Sequence, residues 1–345
     1  MLAGMEPHYP PSIRLANLPT PTERLRAVPE FPELPDIYVK RDDLTGAGLS
    51  GNKVRKLEFC MAEAAAAGAQ AVITCGGIQS NHARATAIAA ARLGVKPVLV
   101  LRGAEGEESD GNVLLDRLAG AEIRFIAEEE WPHVNEMMEG IARELAATGE
   151  PAYVIPEGAS YAPGVFGYIR AAQEIAETEK ALGIEFDAIV AAVGSGGTYA
   201  GLAFGKRIFG LKARILGINV LATPAHFAER IAAISVAFVE KYDRRYRGAS
   251  WFGPILPGEV EISGGYDGPA YAVPTAEGLD LIRVFARRAG LFLDPAYTAK
   301  AMLGLIGEAA KGRWRRSDNV LFIHTGGIFS LYPWRRALVP PAPAD

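Results

Sequence analysis

Residues 188–204 read AIVAAVGSGGTYAGLAF, and this stretch decides the fold. The first six residues are small and apolar with no polar face, the pattern of a short strand buried on both sides. Gly194, Ser195, Gly196, Gly197 and Thr198 follow at once, and a helical pattern then runs to about residue 209. A strand that passes through a glycine turn into a helix is one unit of a parallel sheet. Glycines at 194, 196 and 197 let the backbone wrap an anion, and the free N–H groups of the helix start point at it. A tight turn with no ligand would use the same residues.

The alternation continues outward. Upstream, strands at 37–40, 71–75, 98–101, 123–126 and 152–155 alternate with helices at about 53–68, 81–93, 111–118 and 131–147. Residues 156–164 read as a loop, and a helix runs from about 166 to 182. Downstream come a strand at 215–220, helices at about 224–242, 275–288 and 295–310, and a strand at 320–323. Residues 243–274 show little period and suit a long functional loop, and the tail PPAPAD reads as disordered. The chain is therefore α/β with mostly parallel strands.

Composition narrows the function. The chain has 345 residues, 49% hydrophobic, enough for one large or two medium domains. A net charge of -4 leaves no basic field to attract nucleic acid or anionic lipid. Cys60 and Cys75 are too few for a disulfide framework and lack metal-ligand spacing, so buried thiols, no metal and a cytoplasmic location are expected. No run approaches the roughly 20 apolar residues of a membrane span, and MLAGMEPHYPPSIR lacks the apolar core of a leader.

The kind of phosphate ligand follows from what surrounds the turn. A dinucleotide would call for an acidic residue at the end of the next strand. Asn219 and Val220 stand there, and no Walker lysine follows the turn, so a small cofactor with one phosphate fits better. In KRDDLTGAGLSGNKVRKLE (40–58), Lys53 falls in the first turn of a helix. The positive helix end and partial desolvation would lower its pKa and make its amine a nucleophile toward an aldehyde cofactor. A solvated basic helix start is the alternative. In CGGIQSNH (75–82), Gln79, Ser80 and Asn81 open a helix where N–H groups and short polar side chains could bind a carboxylate, or merely cap the helix. His82 reads as structural. Tyr271 lies in the irregular stretch, and Tyr297 and Thr298 follow Asp294-Pro-Ala, while HTGG (324–327) follows the last strand.

Taken together, KRDDLTG, GNKVRKLE, GGIQSNHARATAIAA, GSGGTYAGL, DPAYTAKAM and HTGG resemble, in order, the family of 1-aminocyclopropane-1-carboxylate deaminase and D-cysteine desulfhydrase, of the tryptophan-synthase-β-like (fold type II) class. The resemblance runs from about residue 15 to 332. It implies pyridoxal 5′-phosphate (PLP) as cofactor, Lys53 as the Schiff-base lysine, and Lys56 with the 194–198 turn as phosphate holders. It implies Asn81 at the ring hydroxyl, Gln79, Ser80 and Asn81 at the substrate carboxylate, Tyr271 and Tyr297 around the reacting atoms, Thr298 at the pyridine nitrogen and Thr325 beside it. It also implies two α/β domains with PLP in the cleft: a small inserted domain at 57–164, a large one from 1–56 and 165–345, and a homodimer.

Ring-opening deaminases of this family carry Glu and Leu where this chain has Thr298 and Thr325. A carboxylate would keep the ring nitrogen protonated and strengthen the electron sink, whereas a neutral threonine suits expulsion of a good leaving group such as thiolate. The pattern thus resembles the desulfhydrase branch: D-cysteine to pyruvate, hydrogen sulfide and ammonia, with Lys53, Ser80 or Tyr297 taking the α-proton. Aminocyclopropane deamination, cysteate sulfo-lyase activity and a non-catalytic anion binder on the same fold remain alternatives, and a nicotinamide dehydrogenase is disfavoured by Asn219. Departures from the family are Gly158-Ala-Ser-Tyr161 for G-G-S-N, Ala270 and Ala299 for glycine, and Ser50 in the loop; Tyr161 is expected to narrow the pocket or alter the substrate.

Overall fold

The computed structural model describes residues 9–104, 106, 109–242 and 253–339. Residues 1–8, the part of the irregular stretch at 243–252 and the tail at 340–345 lie outside the described residues. The elements run β1 (Thr22–Arg24), β2 (Asp36–Lys40), α1 (Asn52–Ala66), β3 (Ala71–Gly77), α2 (Asn81–Arg92), β4 (Lys96–Arg102), α3 (Asn112–Leu118), β5 (Glu122–Ile126), α4 (Val134–Ala147), β6 (Ala152–Val154) and α5 (Ala162–Leu182). They continue with β7 (Ala188–Val193), α6 (Gly197–Phe209), β8 (Arg214–Asn219), α7 (Pro224–Tyr242), β9 (Ile262–Ser263), α8 (Ala276–Ala289), α9 (Thr298–Ala310) and β10 (Asn319–Ile323).

Two sheets result. One has six strands in the order β1-β2-β10-β7-β8-β9, parallel except for β1, and the other four parallel strands in the order β5-β4-β3-β6. β7 shows why its sequence has no polar face. Ile189, Ala191 and Val193 join one apolar layer with α5, α6 and α7, while Ala188, Val190 and Ala192 join a second with α8 and α9. Side chains alternate across a strand, so a helix layer on each side demands an apolar residue at every position. Ligands of such sheets bind beyond the carboxyl ends of the strands. Here the chain leaving β3, β7 and β10 reaches Asn81, Gly194 and Thr325, which share one pocket.

Three boundaries differ from the sequence expectation. α5 starts at Ala162, four residues before expected, because Pro163 occupies the first turn, where a missing N–H costs nothing. Gly167 is there for proximity: a Cβ would lie 2.7 Å from the Arg55 carbonyl oxygen. α9 starts at Thr298 rather than 295, because the Asp294 carboxylate takes the N–H groups of Ala296, Tyr297 and Thr298. The segment expected as a single helix at 131–147 enters α4 through a 3-10 turn at Glu128–His133. β1 and β9, of three and two residues, are too short to leave a periodic trace.

Candidate active site

Lys53 lies in the first turn of α1 and lines the pocket with Gly194, Ser195, Gly196 and Thr198. Its side chain is held by the entry to the helix. Gly51 has φ +95°, and a Cβ there would meet the Thr325 carbonyl at 2.8 Å, so only glycine lets this loop pack against the chain leaving β10. The Asn52 N–H then donates to that same carbonyl at 3.1 Å, and Asn52 Nδ2 donates to Thr198 Oγ1 at 3.1 Å. Burial pulls the Lys53 ammonium down to about 8, against the opposing pull of Glu157 and Asp294. A neutral amine is therefore accessible near physiological pH, which nucleophilic attack needs. Its Nζ lies 5.6 Å from the centre of the Tyr297 ring.

Lys56, one turn further, has no exposed surface. Among the described residues its Nζ reaches only the Gly158 carbonyl at 3.2 Å and Ser160 Oγ at 3.3 Å. Burial, then the charge of Lys53, push its pKa well down. A buried cation with neutral partners alone is costly, so this position calls for an anion. The glycine turn is where that anion fits. A Cβ on Gly197 would sit 3.0 Å from Lys56 Nζ and 2.7 Å from Ser160 Oγ, and Gly196 has φ +90° with α7 closing behind it at Ile231. Ser160 Oγ already accepts from the Gly197 N–H at 3.1 Å and pairs with Ser195 Oγ at 2.7 Å. The donor set of Lys56, Ser160, Ser195 and the turn N–H groups fits a phosphate.

Tyr297 packs over Gly194, where a Cβ would be 2.9 Å from its ring, and Tyr271 packs over Gly77 at 2.7 Å in the same sense. The Tyr297 hydroxyl donates to that of Tyr271 at 3.0 Å. Burial first of all raises both phenols, so both keep their protons at neutral pH. Lys300 holds the Tyr271 segment: its buried Nζ donates to the carbonyls of Ala270 (2.9 Å), Asp267 and Val220 (3.4 Å).

The remaining residues separate into those on the pocket wall and those behind it. Asn81 and Thr325 line the pocket. Ser80 is the N-cap of α2, its Oγ accepting from the Ala83 N–H at 3.1 Å, which leaves the hydroxyl proton free. Gln79 lines the adjoining outer cavity with Tyr271, but its amide is committed to the Asp110 carbonyl and the Asn112 N–H. Thr298 is fully buried and turned away from the wall. Its hydroxyl donates to Asp294 Oδ1 at 2.7 Å and accepts from the Asp294 N–H at 2.6 Å. Tyr161 points its hydroxyl at Tyr153, 3.3 Å away beneath α1, and does not narrow the pocket. Cys60 and Cys75 are free and buried, and burial lifts the Cys60 thiol to about 12. His82 Nε2 lies 2.8 Å from Thr74 Oγ1. Sequence reading missed Asn52, Ser160 and Lys300 as site residues. Ser160 and Lys300 sit inside GASY and DPAYTAKAM, quoted above for their neighbours.

An α/β chain of helix-flanked parallel sheets, in which a deprotonable lysine shares a pocket with a glycine turn at the strand ends, has the build of an aldehyde-cofactor enzyme. Residues 13–326 match the family model described as pyridoxal-phosphate dependent enzyme, and the chain belongs to that family. It is 44% identical over 330 residues to a Thermotoga maritima protein provisionally named 1-aminocyclopropane-1-carboxylate deaminase, covering 95% of this chain and 99% of the relative. An Arabidopsis thaliana protein named bifunctional D-cysteine desulfhydrase/1-aminocyclopropane-1-carboxylate deaminase, mitochondrial, is 39% identical, over 92% of this chain and 78% of its own. A crystal structure titled as that of an ACC deaminase homologue superposes with a TM-score of 0.82 at 37% identity, covering 95% of both chains. The α/β fold and the cofactor class read from the sequence both stand. No helix among the described residues is long and apolar enough to cross a membrane, and they hold no acidic, histidine or cysteine cluster suited to a metal.

Proposed function

We propose that the chain catalyses α,β-elimination from D-cysteine, giving pyruvate, hydrogen sulfide and ammonia with uptake of one water. The observation that carries this reading is the shared pocket of Lys53 and the 194–198 turn, with a lysine brought to about 8 by burial. PLP supplies an aldehyde for the substrate amine and an electron sink for the bond-breaking step. Lys56, Ser160, Ser195 and the 194–198 turn would hold its phosphate, the Gly197 N–H being the one now donated to Ser160 Oγ. Asn81 would meet its ring oxygen, and Thr325 lines the same pocket.

Lys53, as a free amine, would take the α-proton, because a base near pH 8 is matched to neutral conditions. Ser80 is a second candidate, since only its acceptor side is used by the helix cap. The α2 start receives the substrate carboxylate on the Ser80 hydroxyl and on Asn81, the Ser80 N–H itself being donated to the Gly77 carbonyl at 2.9 Å. Gln79 orders the neighbouring loop rather than touching substrate. The Tyr297–Tyr271 pair, kept protonated by burial, holds a proton for the departing sulfur.

The choice of thiolate over ring opening rests on the ring-nitrogen side. No carboxylate lines the pocket among the described residues. Thr298 spends its proton on Asp294, so nothing there would keep the nitrogen protonated, and a weak sink suits a good leaving group. The names of the relatives favour a second reading, aminocyclopropane deamination. Two lobes at 57–164 and at 1–56 with 165–345, a homodimer and a cytoplasmic location belong to the same proposal. Pyruvate or 2-oxobutyrate release from D-cysteine, L-cysteine, L-cysteate and 1-aminocyclopropane-1-carboxylate decides it. Turnover of D-cysteine above the others is expected. Selective turnover of the cyclopropane acid would replace the reading, and a protein that gains no visible band with PLP would reduce it to anion binding.

A further inference from the structure

We propose that Arg84 and Asn112 form a hydrogen-bond relay that fixes the Asn81 side-chain amide with its NH2 group facing the pocket, so that the site presents a donor to the cofactor's ring oxygen. The proposal rests on the reading that PLP occupies this pocket, and it adds the residues that set the polarity of one wall.

The logic is one of donors and acceptors. A guanidinium can only donate. Arg84 Nε donates to Asn112 Oδ1 at 2.9 Å, so that end of the Asn112 amide is its carbonyl. Its Nδ2 therefore lies on the other side, where it donates to the Gln79 carbonyl at 2.9 Å and to Asn81 Oδ1 at 3.1 Å. With its carbonyl so occupied, Asn81 turns its own NH2 group away from Asn112. Asn81 lines the pocket, and among the described residues its Nδ2 has no hydrogen-bond partner. A nearly buried donor without a partner calls for an acceptor from the ligand.

The rest of Arg84 shows what anchors the relay. The residue has no exposed surface. Its other nitrogens donate to the carbonyls of Gly48 and Ser50 (3.0 Å), in the loop that delivers Lys53, and its plane lies 5.0 Å from the centre of the Phe329 ring. All these partners are neutral. Opposite charge reaches Arg84 only from the buried Asp116 carboxylate, which shares no hydrogen bond with it among the described residues, and a guanidinium held this way strongly directs the groups it touches. Asn112 is equally buried and locks Gln79 as well, its N–H donating to Gln79 Oε1 at 2.9 Å. Arg84 and Asn112 are positioning residues.

The test uses the PLP-loaded protein and the pH midpoint of its visible absorbance. Asn112→Asp keeps an acceptor for Arg84 and loses the donor to Asn81; Asn112→Ala loses both. A donated hydrogen bond favours the ionised ring oxygen, so each variant should raise the midpoint by about one unit. Asn81→Ala should do the same, and the N81A/N112D pair should shift no further than N81A alone. Thermal melts separate this shift from loss of fold, which would not move a titration midpoint. If N112D titrates like the wild type while N81A shifts, the relay is wrong and the cofactor reading survives. If N81A also titrates like the wild type, Asn81 faces no ring oxygen and the relay has no object. A wild type that forms no visible band with PLP overturns the proposed function and the relay together.

Discussion

Replacing Lys56 by Met separates two energies of opposite sign. Without phosphate, the Lys56 ammonium is fully buried against a carbonyl at 3.2 Å and a hydroxyl at 3.3 Å, and burial drives it toward its neutral form. Methionine has a similar length and needs no hydrogen bonds, so the apo-protein should melt at the same temperature or higher. With PLP the sign reverses. A hydrogen bond to a charged partner contributes about 1.5–3 kcal/mol, which corresponds to a roughly 10- to 150-fold weaker PLP dissociation constant. Spectroscopic titration of the apo-protein with PLP, paired with melts with and without the cofactor, reads both effects. A variant that binds PLP within twofold of wild type but melts lower as apo-protein would refute the assignment, because Lys56 would then be a structural lysine.

Other outcomes follow from the same geometry. The Lys53 amine titrates near 8 in the fold and near 10.5 in a free lysine, so the rate of PLP capture should rise with pH through about 8 and then level. Between those two values the unfolded chain binds more protons than the folded one, so this group's contribution to apo stability grows with pH across that window and is constant below it. A capture rate that is flat through pH 8 would contradict the assignment. Lys300→Met frees the Tyr271 segment from its buried clamp and should lower kcat/KM about tenfold or more while the PLP band persists; an unchanged kcat/KM removes the clamp from the mechanism. Tyr161→Asn deletes a hydroxyl that faces Tyr153 and not the pocket, so the melting temperature should fall while the ranking of substrates stays the same. A changed ranking would place Tyr161 on the substrate side after all.

Much of the fold is legible because β7 is apolar at every position, β8 and β10 are apolar apart from their polar end residues, and β7 and β10 each run into a glycine-bearing turn. The lysine and the glycine turn are legible for the same reason: helix starts and strand ends are local features. What escaped is non-local. Ser160 belongs to the cradle only because α5 begins early and brings it beside Gly197, and the glycines that permit this contact read in the sequence as breakers. Asn112 carries no signal of its own, since its role depends on Arg84 reaching across from α2. Thr298 carries a second role that its sequence position does not announce: the Asp294 carboxylate takes its hydroxyl and its N–H as part of the α9 cap.

The most direct measurement is borohydride reduction of the PLP-loaded protein followed by peptide mapping. Reduction fixes the cofactor to whichever amine holds its aldehyde. The label should fall on Lys53 alone, and Lys53→Ala should take up none. A label on Lys56 or on a surface lysine, with Lys53 unmodified, would contradict the shared pocket of this amine and the glycine turn at 194–198.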